Sequence, residues 1–222
     1  MITARLTDLN YNEILMYLGY RGQQFGPELE SQIRRCMDEV MKTAAPRLVY
    51  AVFPLDAQKM EAGGLVLEGQ DMKALLKESS EVVFLGATVG AGVSAQIARV
   101  QVTDMASAII MDSCASCAIE NVCNNFEEDF RRETSERGLF LTDRFSPGYG
   151  DLPISLQPSL CAALNTQRRI GLTVTDNFLM VPQKSVTALM GISDKKQPKR
   201  KSGCEVCSMF LTCEFRKQGR TC

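Results

Sequence analysis

Residues 144–151 combine side chains that suit a small ligand carrying a carboxylate and a flat ring. The segment runs Arg-Phe-Ser-Pro-Gly-Tyr-Gly-Asp. Pro147 and Gly148 predict a tight turn, because proline fixes φ and glycine adopts positive φ without strain. Such a turn places backbone amides beside the guanidinium of Arg144 and the ring of Tyr149. The alternative interpretation is an ordinary surface loop between two helices.

A long helix is predicted to precede this loop, from Thr103 to about Arg132. Its first turn carries Asp104, where the helix dipole favours a carboxylate. Its middle is apolar around most of the circumference, which indicates burial in the core. The last turns become charged, so the helix is expected to leave the core towards its end.

Glu120 lies about two-thirds along that helix, next to a buried face. A lone carboxylate there is costly unless it is paired. The ammonium group of a ligand would pair it. A salt bridge to Arg144, Arg168 or Arg169 would do so as well, and both interpretations stay open on these residues.

Four of the nine cysteines are crowded into the C-terminal 19 residues, with the spacing C-x2-C-x5-C-x8-C. They are Cys204, Cys207, Cys213 and Cys222. Four thiols in so short and polar a segment predict thiolate ligation of zinc or an iron–sulfur cluster. A flexible reduced tail is the alternative, and the spacing does not choose between the two metals.

Cys114 and Cys117 form a second CxxC pair, but within the predicted long helix. Residues three apart share one helical face, where cysteine acts as a small apolar side chain. We therefore predict core packing rather than redox chemistry for this pair. The odd number of cysteines and the lack of an export signal argue against a disulfide framework.

The segment Gly90-Ala-Gly-Val-Ser-Ala matches the G-x-G-x-x-G/A pattern of dinucleotide sites and follows a predicted strand. A dinucleotide fold would need another strand soon afterwards, bearing an acidic residue. The long helix begins instead, so we predict a strand-to-helix turn. No lysine follows these glycines, which excludes a phosphate-binding P-loop.

The hydrophobic pattern along the rest of the chain predicts the elements that must position these residues. Helices are expected at 10–19, from Pro27 to before Pro46, at 70–77 and at 155–166. Strands are expected at 48–53, 65–67, 81–85, 170–175, 178–182 and 185–192. This order lacks regular βαβ alternation, so the prediction is an α+β fold with one main domain.

Composition excludes several functional classes. The chain has 222 residues, a net charge of −1, and neither histidine nor tryptophan. A Ser-His-Asp triad, a Cys-His dyad and a histidine-ligated metal site are therefore excluded within it. The charge gives no nucleic-acid signal, and no run is long enough to span a membrane. We expect a cytoplasmic protein without nucleic-acid or membrane partners.

Three segments resemble the activation (reactivation) domain of cobalamin-dependent methionine synthase. Residues 144–150 resemble its S-adenosylmethionine-binding signature, and Ala118-Ile-Glu-Asn-Val-Cys-Asn-Asn-Phe resembles the helix that carries a ligand-facing glutamate. Thr175-Asp-Asn-Phe-Leu-Met-Val-Pro-Gln-Lys-Ser-Val-Thr-Ala resembles the closing strand pair. The resemblance covers roughly residues 80–193.

The resemblance implies an S-adenosylmethionine site and a fold with a mixed or antiparallel twisted sheet, a long central helix and flanking helices. Arg144 would hold the methionine carboxylate, and Glu120 would face the cationic end of the ligand. Ser146 and Gly148 would offer backbone contacts, and Tyr149 would pack on the nucleoside. No catalytic residue is expected, because the cobalt carries the chemistry.

The implied function is that of a stand-alone reactivation component of a split methionine synthase. It would support reductive methylation of Co(II) cobalamin carried by a partner protein, with a flavodoxin- or ferredoxin-type electron donor. The chain has no histidine to offer cobalamin as a lower ligand. The alternative function is an iron–sulfur or zinc redox or docking protein for a corrinoid protein, without methyl transfer of its own.

The charge and cysteine patterns, together with the extent of the resemblance, predict a division of the chain. A body at 1–193 would comprise an N-terminal helical part, 1–80, and an S-adenosylmethionine-binding part, 81–193. A basic linker at 194–203 would lead to the cysteine-rich tail at 204–222. The first 80 residues and the tail show no clear counterpart in the full-length enzyme, which carries its cobalamin domain on the same chain.

Overall fold

A computed structural model describes residues 4–20, 24–197 and 211 of the chain. These residues form seven helices and eight strands. The helices are α1 (Tyr11–Tyr17), α2 (Pro27–Thr43), α3 (Gln70–Leu75), α4 (Ala91–Gln101), α5 (Met105–Glu136), α6 (Leu156–Leu164) and α7 (Thr166–Ile170). The strands are β1 (Arg47–Pro54), β2 (Glu61–Ala62), β3 (Leu65–Val66), β4 (Glu81–Thr88), β5 (Phe140–Leu141), β6 (Thr173–Val174), β7 (Met180–Val181) and β8 (Ser185–Ser193).

Four strands form an antiparallel sheet in the order β1-β4-β8-β5. The central strand β4 pairs with β1 and β8 along its whole length, from Glu81 to Thr88. Its side chains are buried on both faces, which explains the continuous apolar run that predicted a strand there. The predicted α+β class, with an antiparallel sheet, a long central helix and flanking helices, is confirmed.

Each face of the sheet is covered by helices. On one face, Phe126 and Phe130 of α5 pack in a cluster with Val83 and Leu85 of β4. On the other face, Phe84 packs in a cluster that includes residues of α3 and α6. The sheet is therefore a middle layer, and α5 separates it from a helical layer.

The helical layer packs α1, α2 and α4 around the first half of α5. Cys114 and Cys117 lie in this layer and are almost completely buried, which confirms their prediction as packing residues. Burial raises the pKa of the Cys114 thiol to about 12 and that of Cys117 to about 11. Both therefore stay neutral thiols at neutral pH. No helix within the described ranges is long and apolar enough to cross a membrane.

The structure adds elements that the sequence pattern did not show. Gly90 directly precedes α4, so the predicted strand-to-helix turn is confirmed, but α4 itself was not predicted. Its signal is weak because Val93 is its one fully buried residue; it is held by packing on α5. α4 is followed by α5 with no strand between them, which excludes a dinucleotide fold. Residues 1–80 also contribute β1 to the main sheet.

Candidate functional site

The loop after α5 continues along the edge of β8 that pairs with β5. The Thr142 amide donates to the carbonyl of Gly191 at 2.9 Å, and Phe145 exchanges two backbone hydrogen bonds with Leu189 at 2.9 and 2.8 Å. Phe145 points into the core and is buried. Because successive side chains alternate along an extended segment, Arg144 points away from that core, towards α5.

The turn that follows is closed by its own backbone. The amide of Tyr149 donates to the carbonyl of Ser146 at 3.2 Å, and that of Gly148 donates to Leu152 at 2.9 Å. Gly148 adopts a φ of +91°, a conformation that side chains disfavour, so the turn requires glycine here. The Gly148 amide already donates to Leu152 within the loop. The backbone group of Gly148 that can contact a ligand is therefore its carbonyl. Tyr149 is 69% exposed.

The far end of the turn is tied to α3. The carboxylate of Asp151 accepts hydrogen bonds from the amides of Gln70 at 2.5 Å and Asp71 at 3.1 Å, at the start of that helix. A carboxylate in this position satisfies amides that have no partner within the helix. Together with the β8 contacts, this cap fixes the backbone conformation of residues 142–151.

Arg144 lies among three acceptors from α5. Its Nε donates to Oε2 of Glu127 at 2.8 Å, and its Nη2 donates to Oδ1 of Asn124 at 2.6 Å and Oε2 of Glu120 at 3.2 Å. Burial works to lower the pKa of the Arg144 guanidinium, but Cys123 and the two carboxylates outweigh it, so the pKa is raised. Of the pairings considered for Glu120, the structure contains the one with Arg144.

The acceptors belong to one polar row along α5, spaced three or four residues apart on a single helical face. Its members are Asp112, Ser116, Glu120, Asn124, Glu127 and Arg131. At its N-terminal end, Nζ of Lys184 contacts Oδ1 of Asp112 at 2.8 Å and Oγ of Ser116 at 2.9 Å. Lys184 directly precedes β8, and Arg144 precedes Phe145, which pairs with Leu189 of β8, so two segments next to β8 each place a cation on this row.

Sequence reasoning missed Tyr17 of α1, which lies near Glu120, and its partner Glu13. Oη of Tyr17 donates to Oε1 of Glu13 at 3.3 Å. Burial, and after it the carboxylates of Glu13 and Glu120, raise the pKa of Tyr17 to about 12. The segment before α1 also contacts α5, because the Thr7 amide donates to Oδ1 of Asn121 at 2.9 Å. No sequence signal could have placed α1 there, because more than 100 residues separate the two segments.

The predicted metal ligands Cys204, Cys207, Cys213 and Cys222 lie outside the described residues. Within the described ranges, no group of three or more cysteine, aspartate or glutamate side chains is placed to hold a metal ion. Zinc or iron–sulfur ligation therefore stays a prediction about the tail alone.

Comparisons with known proteins point to one fold. No protein-family model matches the chain, and no curated protein matches it in sequence. Among solved structures, it is similar to the crystal structure of the MetH reactivation domain bound to AdoHcy, with a TM-score of 0.64 and 15% identity. The match covers 96% of this chain and 82% of the other. This chain has the fold of the methionine synthase reactivation domain.

That similarity is wider than the sequence resemblance. Because it covers 96% of the chain, it includes most of the first 80 residues, for which no counterpart was clear. A nitroreductase family protein from Streptococcus pneumoniae TIGR4 also matches, but its TM-score of 0.34 carries no argument. At 15% identity, the likeness to the reactivation domain establishes the fold and leaves ligand and activity to be argued from the site.

Proposed function

We propose that this chain binds S-adenosylmethionine at the Arg144–Tyr149 loop and Glu120. The observation that carries the proposal is the placement of Arg144 beside Glu120, in a fold whose solved counterpart, the MetH reactivation domain, is bound to AdoHcy. The loop sequence and the glutamate-bearing helix are also the segments that resemble the family's ligand-binding elements. The sequence resemblance therefore supports this location for the site, and the fold supports the class of ligand.

The charges of the site match an amino-acid head group. A carboxylate and an ammonium group would take Arg144 and Glu120 as their respective partners, replacing one contact of 3.2 Å by two ion pairs. The Glu120 side chain is 36% exposed, so the ammonium group of a ligand can reach it from solvent and replace Arg144 as its partner. Glu127 would keep its shorter contact with Arg144 throughout.

Tyr149 would provide the apolar surface for the nucleoside. Its ring is mostly exposed, and large aromatic surfaces gain stability when a flat ligand covers them. Ser146 and Gly148 would border the ligand through the backbone of the turn. These residues bind and orient the ligand, whose methyl group is transferred to a cobalt held elsewhere.

The wider proposal is a stand-alone reactivation component of a split cobalamin-dependent methionine synthase. The chain would present S-adenosylmethionine to a partner that carries cobalamin, while a flavodoxin- or ferredoxin-type donor supplies one electron. The absence of histidine supports this division of labour, because the chain has no imidazole to offer cobalt. The tail at 204–222 is proposed to hold zinc or an iron–sulfur cluster, and a cytoplasmic location is proposed with it.

Calorimetric titration tests the binding step. Arg144→Ala should weaken S-adenosylmethionine binding by about 2–4 kcal/mol, because it removes one member of a buried charge pair. Arg168→Ala is the matched control, since Arg168 is an exposed arginine of α7 and binding should be unchanged. A wild-type chain that does not bind S-adenosylmethionine would end the proposal.

The wider role has its own test. Mixing the chain with a corrinoid partner in the Co(II) state, a reductant and S-adenosylmethionine should convert the visible spectrum to that of methylcobalamin. Arg144→Ala should slow this conversion, and Arg168→Ala should not. If the chain binds the ligand but leaves the rate of conversion unchanged, the reactivation role is wrong and only the binding site stands.

A further inference from the structure

The carboxylate of Glu127 accepts hydrogen bonds from two arginines, Arg131 and Arg144. Its Oε1 accepts from Nη2 of Arg131 at 2.6 Å and from Nε of the same residue at 3.2 Å, whereas its Oε2 accepts from Nε of Arg144 at 2.8 Å. The Glu127 side chain is 19% exposed and that of Arg144 17%. Both oxygens are therefore engaged in a largely dry environment, where charge-assisted hydrogen bonds are strong.

Arg131 connects this pair to the backbone of the loop. Its guanidinium donates to the carbonyls of Leu141 and Thr142, the latter at 2.8 Å, and contacts Asp143 at 3.3 Å. The chain is thus fixed immediately before Arg144. Through Glu127, the same guanidinium also fixes the head of the Arg144 side chain, so main chain and side chain are held by one network.

The contact with Glu127 decides which edge of Arg144 is presented to a ligand. Because Nε donates to Glu127, a ligand carboxylate has to approach the Nη1–Nη2 end of the guanidinium, where Nη2 donates to Asn124 and Glu120. Asn124 holds Nη2 from the neighbouring turn at 2.6 Å. The longer Glu120 contact, at 3.2 Å, is the one a ligand can replace.

We infer that Glu127 is a positioning residue, which orients Arg144 for the carboxylate of the ligand without touching the ligand itself. The inference rests on the proposed function for its ligand. It goes beyond that function because the sequence resemblance assigns no role to Glu127. Without the Glu127 carboxylate, the like charges of Arg131 and Arg144 would lose the anion between them, and Arg144 would lose its fixed direction.

Two ligands separate positioning from a merely structural role. S-Adenosylhomocysteine and 5′-methylthioadenosine share the adenosine and the thioether, but only the first carries an amino-acid head group. Glu127→Gln should weaken S-adenosylhomocysteine binding about tenfold, the loss expected for one charge-assisted hydrogen bond, and leave 5′-methylthioadenosine unchanged. Glu128→Gln, an exposed neighbour with the same charge change, should affect neither ligand.

A double-mutant cycle gives a second readout. In an Arg144→Ala background, Glu127→Gln should cause no further loss of S-adenosylhomocysteine binding, because the residue it positions is gone. If Glu127→Gln does not fold, Asn124→Ala replaces it. Asn124 is exposed, and its removal should weaken S-adenosylhomocysteine about threefold without affecting 5′-methylthioadenosine.

Three results would overturn the inference. Equal losses for both ligands would show that Glu127 supports the loop as a whole, and unchanged binding of both would show that Arg144 needs no positioning. Additive losses in the cycle would show that the two residues act separately. If the wild type binds neither ligand, the proposed function fails first and the inference fails with it.

Discussion

The two sides of α5 have opposite chemistry. The inner side carries Cys114, Cys117 and Phe126, all at most 1% exposed, and touches only the core. The outer side carries the polar row that begins at Asp112 and meets Arg144 and Lys184. One helix thus supplies apolar packing for two layers and a line of acceptors for cations. The comparison suggests that fold stability and ligand binding can be changed separately.

The largest expected effect comes from the inner side. Phe126→Ala removes a ring that packs against Tyr50 and Phe130, with centroids 5.1 and 5.4 Å away. We expect a loss of about 3–5 kcal/mol in the free energy of unfolding, measured by urea denaturation. Phe140→Ala is the control, because Phe140 is 39% exposed and should cost far less. Similar losses for both would contradict the assignment of Phe126 to the core.

The buried thiol of Cys114, on the inner side of α5, makes the stability of the fold depend on pH. Burial raises the pKa of Cys114 from 9.0 to about 12, so the folded chain keeps this proton at pH values where the unfolded chain has released it. The stabilisation is complete below pH 9 and falls by about 1.4 kcal/mol per pH unit as the pH rises towards the folded value.

Urea denaturation at pH 8 to 10.5 measures this slope. Cys114→Ala should make the slope shallower, because one buried thiol no longer titrates. A Glu128→Gln variant, which changes an exposed position of the same helix, should keep the wild-type slope. A slope that is unaffected by Cys114→Ala would mean that this thiol is not shielded from solvent.

On the outer side, Glu120→Gln should weaken S-adenosylmethionine binding by about 1–2 kcal/mol, because the ligand's ammonium group loses its charged partner. Titration calorimetry measures the loss. The matched change on the same row is Asp112→Asn, which breaks a 2.8 Å contact with Lys184 and should leave binding unchanged. If the two variants bind equally weakly, the whole row rather than the Glu120 position determines affinity.

The smallest effect on the body is expected from removing the tail. A chain that ends at Ser193 loses the exposed contact between Lys195 and Glu78, and such surface pairs contribute little, about 0–1 kcal/mol. It should fold and keep ligand binding, but lose any metal held by the tail. Insolubility or lost binding would show that the boundary at Ser193 is wrong.

Elemental analysis then compares the two cysteine groups. Replacing Cys204 and Cys207 by Ser should abolish the metal, whereas replacing Cys114 and Cys117 by Ala should leave it, because these two only pack. Equal metal content in both variants, or none in the wild type, would favour a reduced tail without a metal.

Much of the fold could be predicted because its signals are local. The apolar run of β4, the length of α5 and the turn at Pro147–Gly148 each depend on residues that are neighbours in sequence. α4 was missed because only Val93 is fully buried, so its helical pattern is faint. That helix is stabilised by contacts with α2 and α5. The hydrophobic periodicity of its own residues does not reveal these contacts.

The residue types of the chain set the chemistry available to it: a guanidinium and an aromatic ring on a tight turn, a carboxylate on a long helix, and no imidazole. Tertiary structure alone decided which groups meet. Arg144 pairs with Glu120 across 24 positions, and Lys184 reaches Ser116 across 68. The physical reason is that such contacts depend on how the sheet and α5 pack together, and no spacing within either element encodes that arrangement.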